Sequence, residues 1–303
     1  MRDNRHQIVG VSVQGQVSCP EFPTLPASPY TIGADGTPQL LLSAGGIVYN
    51  VRVGDSAYGW LADSVQPGVS VKSPDFAANQ ALNTFACIGN EAIVVSGRAT
   101  GERGTVVGKS GRFAEHVICH FADGVLEELA VEDKVLVRAY GRSLTLLDQP
   151  EIQLKSISPA LLDALEVESA GGNGISVPVV AEFPAFLAGA GAGLLAESGS
   201  LQIQSDDEQA LREHRLHELR LGDVVAVRDL DSRWGNGYRQ GAMAIGVVAH
   251  GDSPRAGAGP GITIVITAIG NQIRPTIVAE RNLATMLDLA SPARIGAQAL
   301  DVG

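Results

Sequence analysis

The segment AHGDSPRAGAGPG (249–261) sets His250, Asp252, Ser253 and Arg255 on a glycine-rich loop directly after an apolar run. Catalytic and binding groups concentrate on loops held at strand ends. There His250 can serve as a general base, Asp252 can orient it or hold a ligand, and Ser253 can act as nucleophile or hydrogen-bond donor. A plain turn accounts for the same residues equally well.

A second base candidate comes from EHVICHF (115–121). Strand alternation sets His116, Ile118 and His120 on one face and Val117, Cys119 and Phe121 on the other. At about 3.3 Å per residue the two histidines stand about 13 Å apart, too far to share a metal, so at most one is a ligand or base. The default for each is a satisfied structural histidine. His214 and His217 lie three apart on an expected helix, but no third zinc ligand is signalled, and a surface helix is the plainer reading.

Three further polar loops suit a pocket that orients a small polar molecule: DSAYGWLADS (55–64), CIGNE (87–91) and DLDSRWGNGYR (229–239). They contribute Tyr58, Asp63, Asn90 and Arg239 as candidate substrate contacts, joined by Ser110 and Ser253. RGTVVGKS (103–110) ends like a phosphate-binding loop, but Arg103 stands where that motif needs glycine and β-type sequence follows. Cys87 has no base beside it in sequence to lower its pKa, so an inert buried thiol is expected.

The elements that position these groups read mainly as strands. With 36 glycines, 15 prolines and 5% aromatics, the composition favours many turns and short elements. A chain of 303 residues exceeds what one core usually holds, so two β-rich, barrel-like domains are expected in an α+β arrangement, at 1–155 and 156–303. In the first, strands are expected at 7–17, 45–55, 115–121 and 133–141, with a hairpin over 91–111 and a proline-rich connection at 19–38. Ser158 followed by Pro159 opens a short helix over 158–167. The second carries strands in GISVPVVAEF, GDVVAVRDL, GAMAIGVVAH and GITIVITAIG, and helices near 206–219 and 278–290. FPAFLAGAGAGLL (183–195) is too short and too glycine-rich to span a bilayer and reads as a buried turn or short helix. One local pattern recurs: LEELAVEDKVLVR (126–138) aligns without gaps on LHELRLGDVVAVR (216–228). Both read as a turn delivering the chain into a central strand, whether by duplication or by recurrent barrel chemistry.

A net charge of −11 with no basic stripe argues against nucleic acid. The absence of a signal-peptide-like start or a long apolar run argues against a membrane. Three cysteines without paired spacing fit a reducing compartment, and the cytoplasm is expected.

At GGIVYNVRVGDSAYGW, QPGVSV, ACIGNEAIVVSG, RGTVVGKSG, LLDQPEI, VPVVAEFPA, LRLGDVVAVRDLD, YRQGAMAIGVV and AGAGPGITIVIT, the sequence resembles a bacterial and archaeal family defined only as domain of unknown function 4438, over about residues 7–290. The resemblance implies a two-part, β-rich soluble fold and carries no established activity. It also implies histidines in relatives where this chain has Ser64, Ser110, Phe186 and Ala258, with His116 and His250 kept. Were these positions to converge, relatives would have a site able to hold a transition metal, and this chain would keep too few ligands.

The expectation is therefore a metal-independent enzyme of small-molecule metabolism, a hydrolase, lyase or isomerase, with no cofactor and no bound metal. His250 or His116 would be the acid/base, and Asp252, Asp63 and Ser253 would position the substrate. A buried His250 near a carboxylate at the bottom of a pocket would favour it. The rivals are a small-ligand-binding protein without catalysis, favoured by a cleft lacking an acid/base pair, and a scaffolding subunit. The apolar loops also admit a homo-oligomer.

Overall fold

The computed structural model describes all residues except 22–28, 112–114, 173, 198, 205 and 290–303. In the first half, alternating sequence gives Val11–Val17 (β1), Thr31–Ile32 (β2), Pro38–Gln39 (β3), Ile47–Val48 (β4), Gly68–Lys72 (β5), Glu91–Val94 (β6), Arg103–Ser110 (β7), His116–His120 (β8) and Lys134–Ala139 (β9). Helices Phe76–Phe85 (α1) and Asp123–Glu128 (α2) lie between them. Antiparallel pairing runs β1–β9–β6–β7–β8–β5 and returns from β5 to β1, closing a six-stranded barrel to which β4 is added beside β5. Closure removes the open sheet edges at which chains aggregate.

Strand alternation fixes what fills the barrel. Val117, Cys119 and Phe121 face the interior with Val69, Val71, Val106, Val135 and Val137, while Ile118 joins a different core. This is the division expected from EHVICHF, and β6 with β7 forms the expected hairpin.

The second half comprises Gln153–Leu154 (β10), Glu168–Ser169 (β11), Ile175–Val179 (β12), Ala181–Pro184 (β13), Leu201–Gln202 (β14), Val224–Asp231 (β15), Gly237–His250 (β16), Gly261–Ala268 (β17) and Ile273–Ile277 (β18). Its helices are Pro159–Ala164 (α3), Glu208–Glu213 (α4) and Leu283–Met286 (α5). The main sheet runs β10–β17–β16–β15–β13 with β14 also on β17, and β11–β12–β18 form a smaller one. Val107 and Ile118 of the barrel's outer wall pack with Val224, Val247, Ala249 and Val265 of this sheet. At Gly108 a Cβ would stand 2.5 Å from that of Ala249, so barrel and sheet meet as closely as glycine permits. The opposite side of the sheet, with Val225, Val227, Val248 and Ile264, is covered by Val51, Ala57, Ala62 and Val65, a segment that precedes most of the barrel in the chain.

The recurring turn has a physical basis. Asp133 Oδ2 accepts the Ala130 N–H and Asp223 Oδ2 accepts the Arg220 N–H, each at 2.8 Å, before the chain enters β9 and β15. In both, the aspartate carboxylate ties the turn three residues back.

Several expected elements are shorter than the pattern suggests. Of 45–55 only Ile47–Val48 is strand. The helix at 206–219 stops at Glu213, because Arg215 takes a left-handed φ of 56° before a 3-10 turn at Leu216–Glu218. The closing helix near 278–290 is the single turn Leu283–Met286, and residue 290 lies outside the described residues. FPAFLAGAGAGLL forms a 3-10 turn at Ala185–Leu187. Helix α3 is capped as expected, Ser158 accepting the Leu161 N–H with Pro159 at the first position. Helix α1 has no counterpart in the sequence reading. Among the described residues no helix is long and apolar enough to cross a membrane.

Candidate functional site: a cleft at the 251–257 loop

The loop after β16 is sewn to the segment 57–65. Asp252 N–H donates to Ala57 O, Ser64 N–H donates to Asp252 O, and Gly251 N–H donates to Val65 O, each at 2.8 Å. This holds Asp252 between two cavities. One, of about 230 Å³, is lined by Tyr58, Glu208, Leu211, Arg212, His217 and Asp252. The other, of about 560 Å³, is lined by Ala34, Asp206, Glu208, Asp252, Ser253, Pro254 and Ala256. Asp252 and Glu208 belong to both.

The lining is acidic, and part of it is spoken for. Glu208 pairs with Arg212 at 2.7 Å, one helical turn on, and Asp206 accepts the Gly257 N–H at 2.6 Å. Tyr58 is half-buried, and its hydroxyl is buried with no hydrogen-bond partner among the described residues. Burial, reinforced by the negative charge of Asp252, raises the Tyr58 phenol well above its ordinary range, so it keeps its proton as a donor.

Asp63 is buried beside this cleft but belongs to its framework. Arg255 Nε lies 3.0 Å from its Oδ2, the Thr31 hydroxyl donates to the same oxygen at 3.3 Å, and Ser64 Oγ donates to Oδ1 at 3.1 Å. Ser253 Oγ accepts the Arg255 N–H at 3.3 Å and lines the larger cavity. Arg255 therefore ties the tip of the loop to the 31 and 63 segments.

His250 departs from expectation. It is buried, lines neither cavity, and meets the hydroxyl of Ser200 rather than that of Ser253, with Nε2 at 2.9 Å. Its Nδ1 stands 3.0 Å from Gly251 O. Burial lowers its pKa, a shift opposed by the Gly251 carbonyl and the charge of Asp63. As a base for the cleft it is in the wrong place, because the Gly251 turn carries Asp252 outward and leaves the imidazole in the seam against the barrel.

His116 is likewise internal. It pairs with Ser110 across β7–β8, and Gln66 bridges them: its amide nitrogen lies 2.5 Å from Ser110 Oγ and 3.4 Å from His116 Nδ1, while its carbonyl accepts from Ser70 Oγ at 2.6 Å. His116 Nε2 is buried without a hydrogen-bond partner among the described residues, and burial pulls the imidazole down to about 4. Ser110 is thus a member of a buried polar cluster and lines neither cavity, contrary to its reading as a substrate contact.

Asn90 is structural. Its Oδ1 accepts the Cys87 and Tyr140 N–H groups at 2.8 and 3.2 Å, and its Nδ2 donates to Tyr140 O at 2.8 Å, so these contacts tie the turn between α1 and β6 to the backbone just after β9. Arg239 lies exposed near the start of β16, 3.7 Å from Asp231. Cys87 is buried and its pKa is raised by burial, against smaller opposing effects of Lys109 and Arg142, in keeping with an inert thiol. Of the nine residues the sequence singled out, Tyr58, Asp252 and Ser253 line the cavities, with Asp63 behind them.

Glu208, Arg212 and His217 complete the cleft, although the charged run 206–218 reads in sequence as a solvated helix face. Only the apolar Leu211 among them hints that this helix covers something. His214 Nδ1 donates to Glu182 O, 3.1 Å away, and does not join His217. Of the positions where relatives are implied to carry histidine, Ser64 and Ser110 touch the Asp252 loop and His116 cluster respectively, Ala258 is buried, and Phe186 is 66% exposed. No group of three or more His, Cys, Asp or Glu able to hold a metal occurs among the described residues.

A crystal structure of the protein TM1086 superposes with a TM-score of 0.87 at 41% identity, covering 94% of this chain and 98% of that one. No curated protein matches. Family models described as Domain of unknown function (DUF4438), N-terminal and C-terminal, match residues 30–163 and 164–287, and the chain belongs to that family.

Proposed function

We propose that this protein binds a small polar molecule carrying a protonated amine in the cleft at Asp252. The observation that carries the proposal is the position of Asp252, shared by both cavities beside the buried Tyr58 hydroxyl. Asp206, Glu208 and Asp252 give the larger cavity three carboxylates, of which Glu208 is paired with Arg212, and among the described residues no basic side chain lines it. A cationic ligand is matched there and an anionic one repelled. Tyr58 and Ser253 supply the directional hydrogen bonds that set orientation.

The test is a thermal-shift screen of the full chain with small amines, matched carboxylic acids and neutral polyols. A ligand that binds only the folded state raises the melting temperature in proportion to its occupancy. Stabilisation by amines that disappears in Asp252→Asn supports the proposal. An equal response to acids, or one indifferent to Asp252, ends it.

A second reading is metal-independent catalysis of hydrolase, lyase or isomerase type at the same cleft, and the Tyr58–Asp252 pair favours it. A carboxylate that accepts a proton beside a phenol that keeps one forms an acid/base pair, and this pair takes the roles first expected of His250 and His116. Conversion of any amine found to bind, followed by mass spectrometry, separates this reading from binding alone. Stoichiometric zinc or iron in the purified protein would sink its metal-independent part. Three free cysteines, two of them buried, support a cytoplasmic site of action.

A further inference from the structure

We propose that Ser200 is an activated nucleophile, with His250 as its general base, able to take up a small acyl group from an ester or thioester. This goes beyond the cleft, because neither residue lines it.

The two hydrogen bonds of His250 determine its tautomer. Gly251 O can only accept, so the Nδ1 that stands 3.0 Å from it carries the ring proton. Nε2 is then an unprotonated acceptor, and the group 2.9 Å away, Ser200 Oγ, must donate to it. A serine hydroxyl donating to a histidine whose far nitrogen is held by a fixed acceptor is the arrangement that activates serine nucleophiles. Here a backbone carbonyl stands where a carboxylate often does. Burial keeps the imidazole neutral and so able to accept a proton.

Several features hold this pair. Gly261, paired with His250 across β16–β17, leaves the imidazole its space. Ser200 N–H donates to Gly111 O at 3.3 Å, and Gly199 before it takes a φ of 136°, which a side chain rarely adopts. The serine thus follows a glycine-dependent turn just before β14. Ser200 keeps 8% of its surface exposed, which restricts the reactant to a small acyl group.

In the step proposed, Ser200 Oγ attacks the carbonyl carbon and its proton passes to Nε2 of His250. The tetrahedral adduct expels the alcohol or thiol, which takes that proton, leaving an ester on Ser200 and neutral His250. Water attacking with the same base would release the acid and restore the hydroxyl.

The test treats the full chain with methanesulfonyl fluoride, whose reactive group is small enough for this site, and, separately, with 4-nitrophenyl acetate, followed by intact-mass measurement and peptide mapping. We expect one sulfonyl or acetyl group on Ser200, none in Ser200→Ala, and labelling about 100-fold or more slower in His250→Gln, since a general base contributes at least that much. Wild-type protein unfolded in urea must also lose the labelling, a comparison that holds even if the His250 variant does not fold. Absence of any adduct on Ser200, or labelling that survives unfolding or loss of the imidazole, overturns the proposal.

Discussion

Gly261 lies against the imidazole of His250, so closely that a Cβ built on it would stand 1.8 Å from Nε2. The ring cannot simply swing aside, because Ser200 and Gly251 hold both nitrogens. We therefore expect Gly261→Ala to destabilise the fold through forced movement of β17 or of the imidazole. The loss should be about 1–3 kcal/mol, typical of overpacking in a filled core. Urea unfolding followed by tryptophan fluorescence measures it, and an unchanged midpoint would show that the ring has room to move.

Tyr58→Phe tests the cleft in the opposite sense. The Tyr58 hydroxyl is buried without a hydrogen-bond partner among the described residues, so removing it deletes an uncompensated polar group. Stability should stay level or rise by up to about 1 kcal/mol, because leaving such a group unmade is costly. Amine binding should weaken by about 5–10-fold, the worth of one ordinary hydrogen bond. A variant that loses stability while keeping affinity would mean that the hydroxyl serves the fold instead of the ligand.

The two aspartate turns make a paired prediction. Removing the carboxylate in Asp133→Ala or Asp223→Ala leaves the N–H of Ala130 or Arg220 without its acceptor and should cost about 1–3 kcal/mol each. Asp133→Asn, which keeps an oxygen in place, should cost much less. Each aspartate accepts a second bond, Asp223 from Asn282 Nδ2 at 2.8 Å and Asp133 from Ser96 Oγ at only 3.4 Å, so the Asp223 alanine variant should be the worse of the two. Chemical denaturation of the three variants decides, and equal costs for Ala and Asn at 133 would remove the turn explanation of the repeated pattern.

These turns mark how far the sequence could be read. Period-two alternation identified β6 to β9 and the inward face of β8, because one face of each is buried in the barrel and the pattern is local. The ring closure of β1 on β5 depends on pairing residues such as Gln16 and Lys72, far apart in sequence, and left no local signal. Nor did the crossing of Val51–Val65 to the second sheet. The cleft was half legible: Asp252, Ser253 and Tyr58 sat on loops with polar signatures, whereas Glu208 and Arg212 lay in a charged run that reads as a solvated helix face. His250 was misjudged because chain proximity to Asp252 does not determine which way a strand's last side chain points. Ser200, in an unremarkable run of small residues, acquired meaning only when β14 laid it against that ring.

His116 predicts a pH dependence whose sign follows from its contacts. The Gln66 amide nitrogen can only donate, so His116 Nδ1 facing it accepts and the ring proton sits on Nε2, which has no partner among the described residues. Adding a second proton would set two donors against each other inside a buried strand pair. Nearby Glu21 and Lys72 have opposing effects and are themselves paired at 2.8 Å. Burial above all draws the imidazole from its ordinary 6.5 to about 4 in the folded chain. Above about pH 6.5 both folded and unfolded chains hold it neutral, and its contribution to stability is fully present. As pH falls from there toward about 4 the unfolded chain takes up the proton and the folded chain does not. Stability is lost over that window, by an amount on the order of 3 kcal/mol from this residue. Urea midpoints measured from pH 7.5 to 4.5 should fall more steeply for the wild type than for His116→Gln, which has no proton to gain. Parallel slopes would mean that His116 titrates normally and that the buried cluster opens to water.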